Sequence, residues 1–207
     1  MTHRQIINRA LLAIGTKPIT GVVGTTDPVH IAVAVAYEPA WREVLESNPW
    51  SDLLALASLD ADTDDDDNLI EDADGLYRFT IPDDCVQVVT IKNNAGAVDR
   101  KAVKRGPYIW SVQETIRLTY LSGDGLLPVD MDVIDTDLEP PTPSALLDAV
   151  AYKTASLIAF TLTQNTALQS SMDARYYNAL SIAKANDMRP SGGEDFWGHR
   201  TTDDDEL

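Results

Sequence analysis

The acidic run DADTDDDDNLIE, Asp60 to Glu71, is the stretch whose residue types most invite a chemical reading. Asp60, Asp62, Asp64 and Glu71 fall on the first, third, fifth and twelfth places of a helix-loop-helix calcium loop. The sixth place of such a loop needs glycine for its turn and here holds Asp65, while the eighth, ordinarily apolar, holds Asp67. The residues that follow alternate like a strand. The run therefore reads as a flexible acidic loop with no metal assigned, and a calcium-dependent binding module remains an alternative.

The other reactive side chains are scattered. His3 falls in a first helical turn, His30 just after a helix-starting proline and His199 near the end of the chain, so none shares a helix face with another as metal ligands do. Cys85 follows Asp84, and a neighbouring acid raises a thiol pKa, which disfavours a nucleophile. There is no glycine-rich phosphate loop ending in Lys-Ser or Lys-Thr, and no serine elbow. No catalytic residue and no cofactor are assigned, and the expectation is a protein that is not an enzyme.

Charge and composition bound the partners. Thirty-three acidic against 16 basic residues give a formal net charge of -17, which opposes any general affinity for DNA or an anionic membrane. Such a chain can still enclose DNA without gripping it. A single cysteine permits no disulfide framework and no thiolate zinc site, which suits assembly in a cytoplasm. No uninterrupted apolar window reaches membrane-spanning length and no apolar stretch follows Met1, so the expectation is a soluble protein with no membrane partner.

These residues must be carried by elements whose signals are local. Thr2 and Gln5 have capping-box spacing, and Ile6, Ile7, Ala10, Leu11 and Ile14 make one face of a helix stopped by Gly15. Asp27-Pro28 starts a second helix carrying Ala34, Tyr37, Trp41, Val44 and Leu45 inward, with Pro39 in its middle and Ser47-Asn48-Pro49 at its end. The segments LYRFTI, VQVVTI and TIRLTYL alternate with period two and predict antiparallel strands, while Leu53 to Leu59 stays unassigned. Residues 122–143 form a Pro- and Asp-rich connection. Thr142-Pro143 starts a third, broadly apolar helix with Leu146, Leu147, Val150, Leu157, Ile158 and Leu162, stopped at Asn165. Thr166 with Gln169 repeats the capping-box spacing before a fourth, lined by Leu168, Met172, Tyr176, Ala179 and Ala183.

The expected fold class is α+β: a four-helix bundle from both ends of the chain, a small antiparallel β domain inserted between helices 2 and 3, and an extended C-terminal tail. The parts are residues 1–52 and 141–190 for the bundle, 53–140 for the β domain with the acidic loop, and 191–207 for the tail. Ile7, Leu11, Trp41, Trp50, Leu157 and Ile158 are the expected bundle core.

The stretches IINRALLAIGTKPIT, AYEPAWREVLESNPW, LYRFTIPDDCVQV and ALLDAVAYKTASLIAFTLTQN, followed by YYNALSIAKANDMRP, together resemble the head-to-tail adaptor of short-tailed phages, also called tail tubular protein A. The resemblance covers most of Ile6 to Pro190 in order, and it rests on the combination of helix starts, Pro49-Trp50 and Pro82-Asp83-Asp84-Cys85 rather than on any chemical signature. It implies a virion protein of the neck or tail: a homo-oligomeric ring of twelve subunits below the portal protein. Such a ring extends the DNA channel, seats the tail nozzle or tail tube protein and serves genome ejection. Acidic walls suit that role, because they repel phosphate and let the duplex slide. An acidic DNA mimic is the other alternative class, although many of the acids here are clustered, at Asp60 to Asp74 and Asp203 to Glu206.

One stretch stands apart from the elements. The tail SGGEDFWGHRTTDDDEL carries Phe196 and Trp197 side by side amid Gly and Asp. Ordering such a tail costs on the order of 1 to 2 kcal/mol per residue, and each ring returns at most about 5 kcal/mol, so a single tail binds weakly and many held together bind firmly. The expectation is that Gly192-Gly193 acts as a hinge. Phe196 and Trp197, with Arg200 adding contacts, then dock on the portal or on a neighbouring subunit.

Overall fold

The computed structural model describes residues 1–20, 27–123 and 144–188. Within them the chain is mixed α+β, with four helices and two small antiparallel sheets.

The helix starts follow their local signals. In α1 (His3–Ala13) the Thr2 hydroxyl accepts from the Gln5 N–H and the Gln5 side chain accepts from the Thr2 N–H, closing the capping box. Its far end is a Schellman turn: the Thr16 N–H bonds the Leu11 carbonyl and the Gly15 N–H bonds that of Leu12, with Gly15 at φ +76°. The Asp27 carboxylate caps α2 (Pro28–Glu46) through the Val29 N–H, with Pro28 at the first helical position. The helix continues through Pro39, whose ring faces the exposed side. Between α3 (Ser144–Thr163) and α4 (Thr166–Asp187) the cap is Asn165, which accepts from the Leu168 N–H. The expected Thr166–Gln169 box is thereby corrected by one residue: Gln164, at φ +54°, ends α3 and leaves Asn165 the free side chain. The Thr142-Pro143 start and the 124–143 connection lie outside the described residues.

One cluster of buried residues draws on all four helices, with Ile7, Leu11, Tyr37, Trp41, Leu45, Val150, Ile158, Met172 and Tyr176 among them. Trp41 is fully buried, edge-on to Tyr37 and His3. Trp50 is also buried, and its indole N–H donates to the Val44 carbonyl. Leu157 does not belong to this core. It is 38% exposed on the margin of α3, because the small side chains Thr154, Ala155, Ser156 and Ala159 let the neighbouring helices close on that helix instead. Ion pairs across the surface link α1 to α3 (Arg9–Asp148, 2.5 Å) and α2 to α3 (Glu43–Lys153, 2.7 Å).

A short 3-10 turn (Ser51–Leu53) leads into the strands β1 (Leu54–Asp60), β2 (Tyr77–Thr80), β3 (Cys85–Asn93), β4 (Val103–Arg105), β5 (Tyr108–Ser111) and β6 (Thr115–Ser122). One sheet has the order β1-β6-β3 and the other β2-β5-β4. A second, smaller core of Phe79, Ile109, Ile116, Leu118 and Tyr120 draws on both sheets. The β4–β5 hairpin, joined by Gly106-Pro107 with Gly106 at φ +62°, lacks a sequence signal because its first strand is exposed throughout. Two register breaks in β3 also upset its expected alternation. They turn Val86 toward the helical core while Val88 and Ile91 face the β core. Leu121 on β6, with Trp50 and Leu53, belongs to the helical core, so the two cores meet along one strand.

Candidate docking surface

The acidic run shows what the carboxylates do in this fold. Rather than a flexible loop, it forms hydrogen-bonded turns with bridges from Thr63 to Leu69 and from Glu71 to Tyr77. Asp64 accepts from the Asn68 and Asp66 N–H groups, and Asp72 from those of Leu76 and Asp74. Bonds to the Asn68 and Leu76 amides are the main reason each of these two acids is held below the usual carboxylate range, with Arg105 adding to the effect at Asp72. Asp62 binds the Arg78 guanidinium at 2.8 Å together with the Thr80 hydroxyl and N–H, and Asp60 accepts from the Thr115 hydroxyl. Asp60, Asp62 and Asp64, three of the positions that match a calcium loop, are thus turned to different partners of their own chain. Among the described residues no three His, Cys, Asp or Glu side chains are grouped so as to hold a metal ion.

His3, His30 and Cys85 take structural places, while His199 lies outside the described residues. His3 is buried with its Nδ1 2.9 Å from the Tyr37 hydroxyl, and burial pushes its pKa down. His30 Nδ1 lies 3.4 Å from the Asp27 carboxylate at the α2 cap. Cys85 is half-buried at the start of β3; desolvation above all raises its thiol, with Asp84 adding to it and Lys104 opposing.

A feature of the described helices that packing does not use is an apolar groove of about 610 Å³ between α2 and α3. Pro28, Ile31, Val35 and Pro39 line one side of it, and Leu157 and Thr161 the other. Ile31 and Val35 lie four residues apart on one helical face and are 53% and 72% exposed, far more than an apolar side chain needs to be on a helix that already buries another face. Pro39 interrupts the hydrogen-bond ladder of α2. It has no N–H, so the Val35 carbonyl lacks its helical donor. A volume of this size, nearly all apolar, suits a compact apolar group.

Of the predicted docking residues, Phe196, Trp197 and Arg200 lie outside the described residues, as do Gly192 and Gly193. A residue that sequence reading missed sets where their segment departs. Asp187, the last residue of α4, accepts from the Ser51 N–H (2.8 Å), the Ser51 hydroxyl (2.7 Å) and the Asn48 amide (2.8 Å). It pins the end of α4 to the junction of the two cores. No local pattern marks that role, because the partners are more than 130 residues away in the chain. No protein-family model and no curated protein matches the chain.

Proposed function

We propose that the chain is a structural subunit of a ring, the head-to-tail adaptor of a short-tailed phage. In this reading its four helices form one bundle from which the β part projects. The ring docks below the portal, extends the DNA channel with acidic walls, and seats the tail nozzle or tail tube protein in the neck of the virion, with no catalytic step. The observation that carries the reading is the open apolar groove on α2 and α3, beside a buried core that draws on helices from both parts of the chain. A protein that acts alone gains nothing from leaving Ile31 and Val35 in water, whereas a subunit that must meet neighbours needs such a face. The net charge of -17 supports the passage of DNA without retention and opposes a role that grips it. The sequence resemblance supplies the family. The test is to add the purified chain to DNA-filled heads that carry a portal but no tail. Density for a ring below the portal in negative-stain images supports the reading, and heads that stay bare at saturating protein count against it.

A further inference from the structure

The outward face of the β1-β6-β3 sheet differs in charge from the acidic chain around it. Ala57, Leu59, Ile91, Leu118 and Tyr120 turn into the β core, so Leu56, Ser58, Lys92, Arg117 and Thr119 take the other face. Lys92 and Arg117 stand directly opposite one another there, with Ser58 on the far side of Arg117 and Val98 bridged to Lys92. Like charges so placed weaken a strand pair, and neither cation has an ion-pair or hydrogen-bond partner among the described residues. The three strands hold a single acid, Asp60, and the Thr115 hydroxyl already occupies it. Nearby, Leu56 is 82% and Val98 59% exposed. In a chain with 33 acids against 16 bases, two uncompensated cations beside open apolar side chains make a surface for an acidic partner.

We propose that this face receives the acidic turn Asp65-Asp66-Asp67 of a neighbouring copy of the chain. The turn is its complement in charge. Asp62 and Asp64 are engaged by Arg78, Thr80 and Asn68, whereas the Asp65, Asp66 and Asp67 carboxylates are exposed and have no partner among the described residues. The spacings agree as well. Adjacent strands lie about 4.8 Å apart and adjacent residues of a turn about 3.8 Å apart, so two neighbouring carboxylates can meet both cations at once. A basic face in one place and an acidic turn in another make a heterologous contact, which generates a ring when the rotation closes. The other acids of each copy stay in water, screened beyond about 8 Å at physiological salt. Duplex DNA suits the face less, because a long polyanion laid across it also meets the acids on either side. The closed ring rests on the function proposed above, whereas the pairing of face and turn does not.

Charge reversal in the full-length chain tests the pairing, read by sedimentation velocity over a concentration series. Lys92→Glu with Arg117→Glu, or Asp65→Lys with Asp66→Lys, should each weaken self-association about tenfold or more. Asp67 stays in place, since its φ of +61° suits Asp better than Lys. A chain carrying both reversals keeps the attraction with the signs exchanged and should associate like the unaltered one. An unaltered chain that stays monomeric at its highest soluble concentration, single reversals without effect, or a double reversal no better than either single one each overturns the proposal. Retention of the unaltered chain by duplex DNA, lost with Lys92→Glu and Arg117→Glu, assigns the face to phosphate and overturns it too. Negative-stain imaging on portal-bearing heads separates the pairing from the adaptor reading. Rings that form equally well with either reversal remove the pairing and leave that reading, while reversal-sensitive association with heads that stay bare does the reverse.

Discussion

The helical core and the β core are held by different physics. The helical core is large and almost wholly apolar, and helices from distant parts of the chain close on Trp41, Tyr37 and Leu45. The β core is a small cluster around Phe79, Ile109 and Ile116, and the acidic turns beside it are fastened by carboxylates: Asp62 to Arg78 and Thr80, Asp84 to the Tyr120 and Ser122 hydroxyls, Asp99 to the Ser111 hydroxyl. The acids that dominate the composition are therefore divided in role. Several of those on the β part serve its own turns, so a net charge read as a repulsive wall is also a set of fasteners.

The largest break in that comparison is on the helical side. Trp41→Ala removes a fully buried ring and should cost about 3 to 5 kcal/mol in denaturant unfolding. Because Leu121 joins β6 to the helical core, the β part should lose its fluorescence and far-UV signals in the same transition. On the other side, Asp62→Ala leaves the Arg78 guanidinium and the Thr80 hydroxyl without their acceptor. It should cost about 1 to 3 kcal/mol, with increased hydrogen exchange across 62–80 and little change in α3.

Titration sharpens the contrast. Burial lowers the pKa of His3, so between its folded value and 6.5 the unfolded chain binds more protons, and stability falls as pH drops below about 6.5. Replacing His3 by Gln should flatten that slope in thermal melts at pH 5 to 7. Asp64 and Asp72 are also lowered, but from 3.8, so their contribution is present above 3.8 and is lost only as pH falls through their lowered values. Acid should therefore weaken the helices first and release the acidic turns later, which amide exchange at pH 6 and pH 3 can separate. The smallest effect on stability belongs to Val35→Glu. At a site 72% exposed it should shift unfolding by no more than about 0.5 kcal/mol while impairing assembly.

Much of this was legible where a signal is local. The Thr2–Gln5 box, the Asp27-Pro28 start, the Gly15 stop and the alternation around Phe79 and Leu118 each reside within a few residues, and the elements follow them. The limits of the reading have physical causes. The sequence pattern puts Leu157 in the core because α3 is apolar nearly all round, and hydrophobic pattern alone does not say which side its neighbours cover. The groove is not legible on α2, because the inward face read there (Ala34, Tyr37, Trp41, Val44, Leu45) does not say how far α3 stands from Ile31 and Val35. Asp187 and the β3 register breaks depend on partners far along the chain, and no spacing rule reaches them.

The claim that the chain is built to join copies of itself around the portal is tested most directly by sedimentation velocity of the full-length protein, alone and mixed with portal. The account predicts a closed ring of many subunits that co-sediments with portal and dissolves to monomer when Val35→Glu is introduced. A two-fold dimer that persists unchanged when portal is added would contradict it.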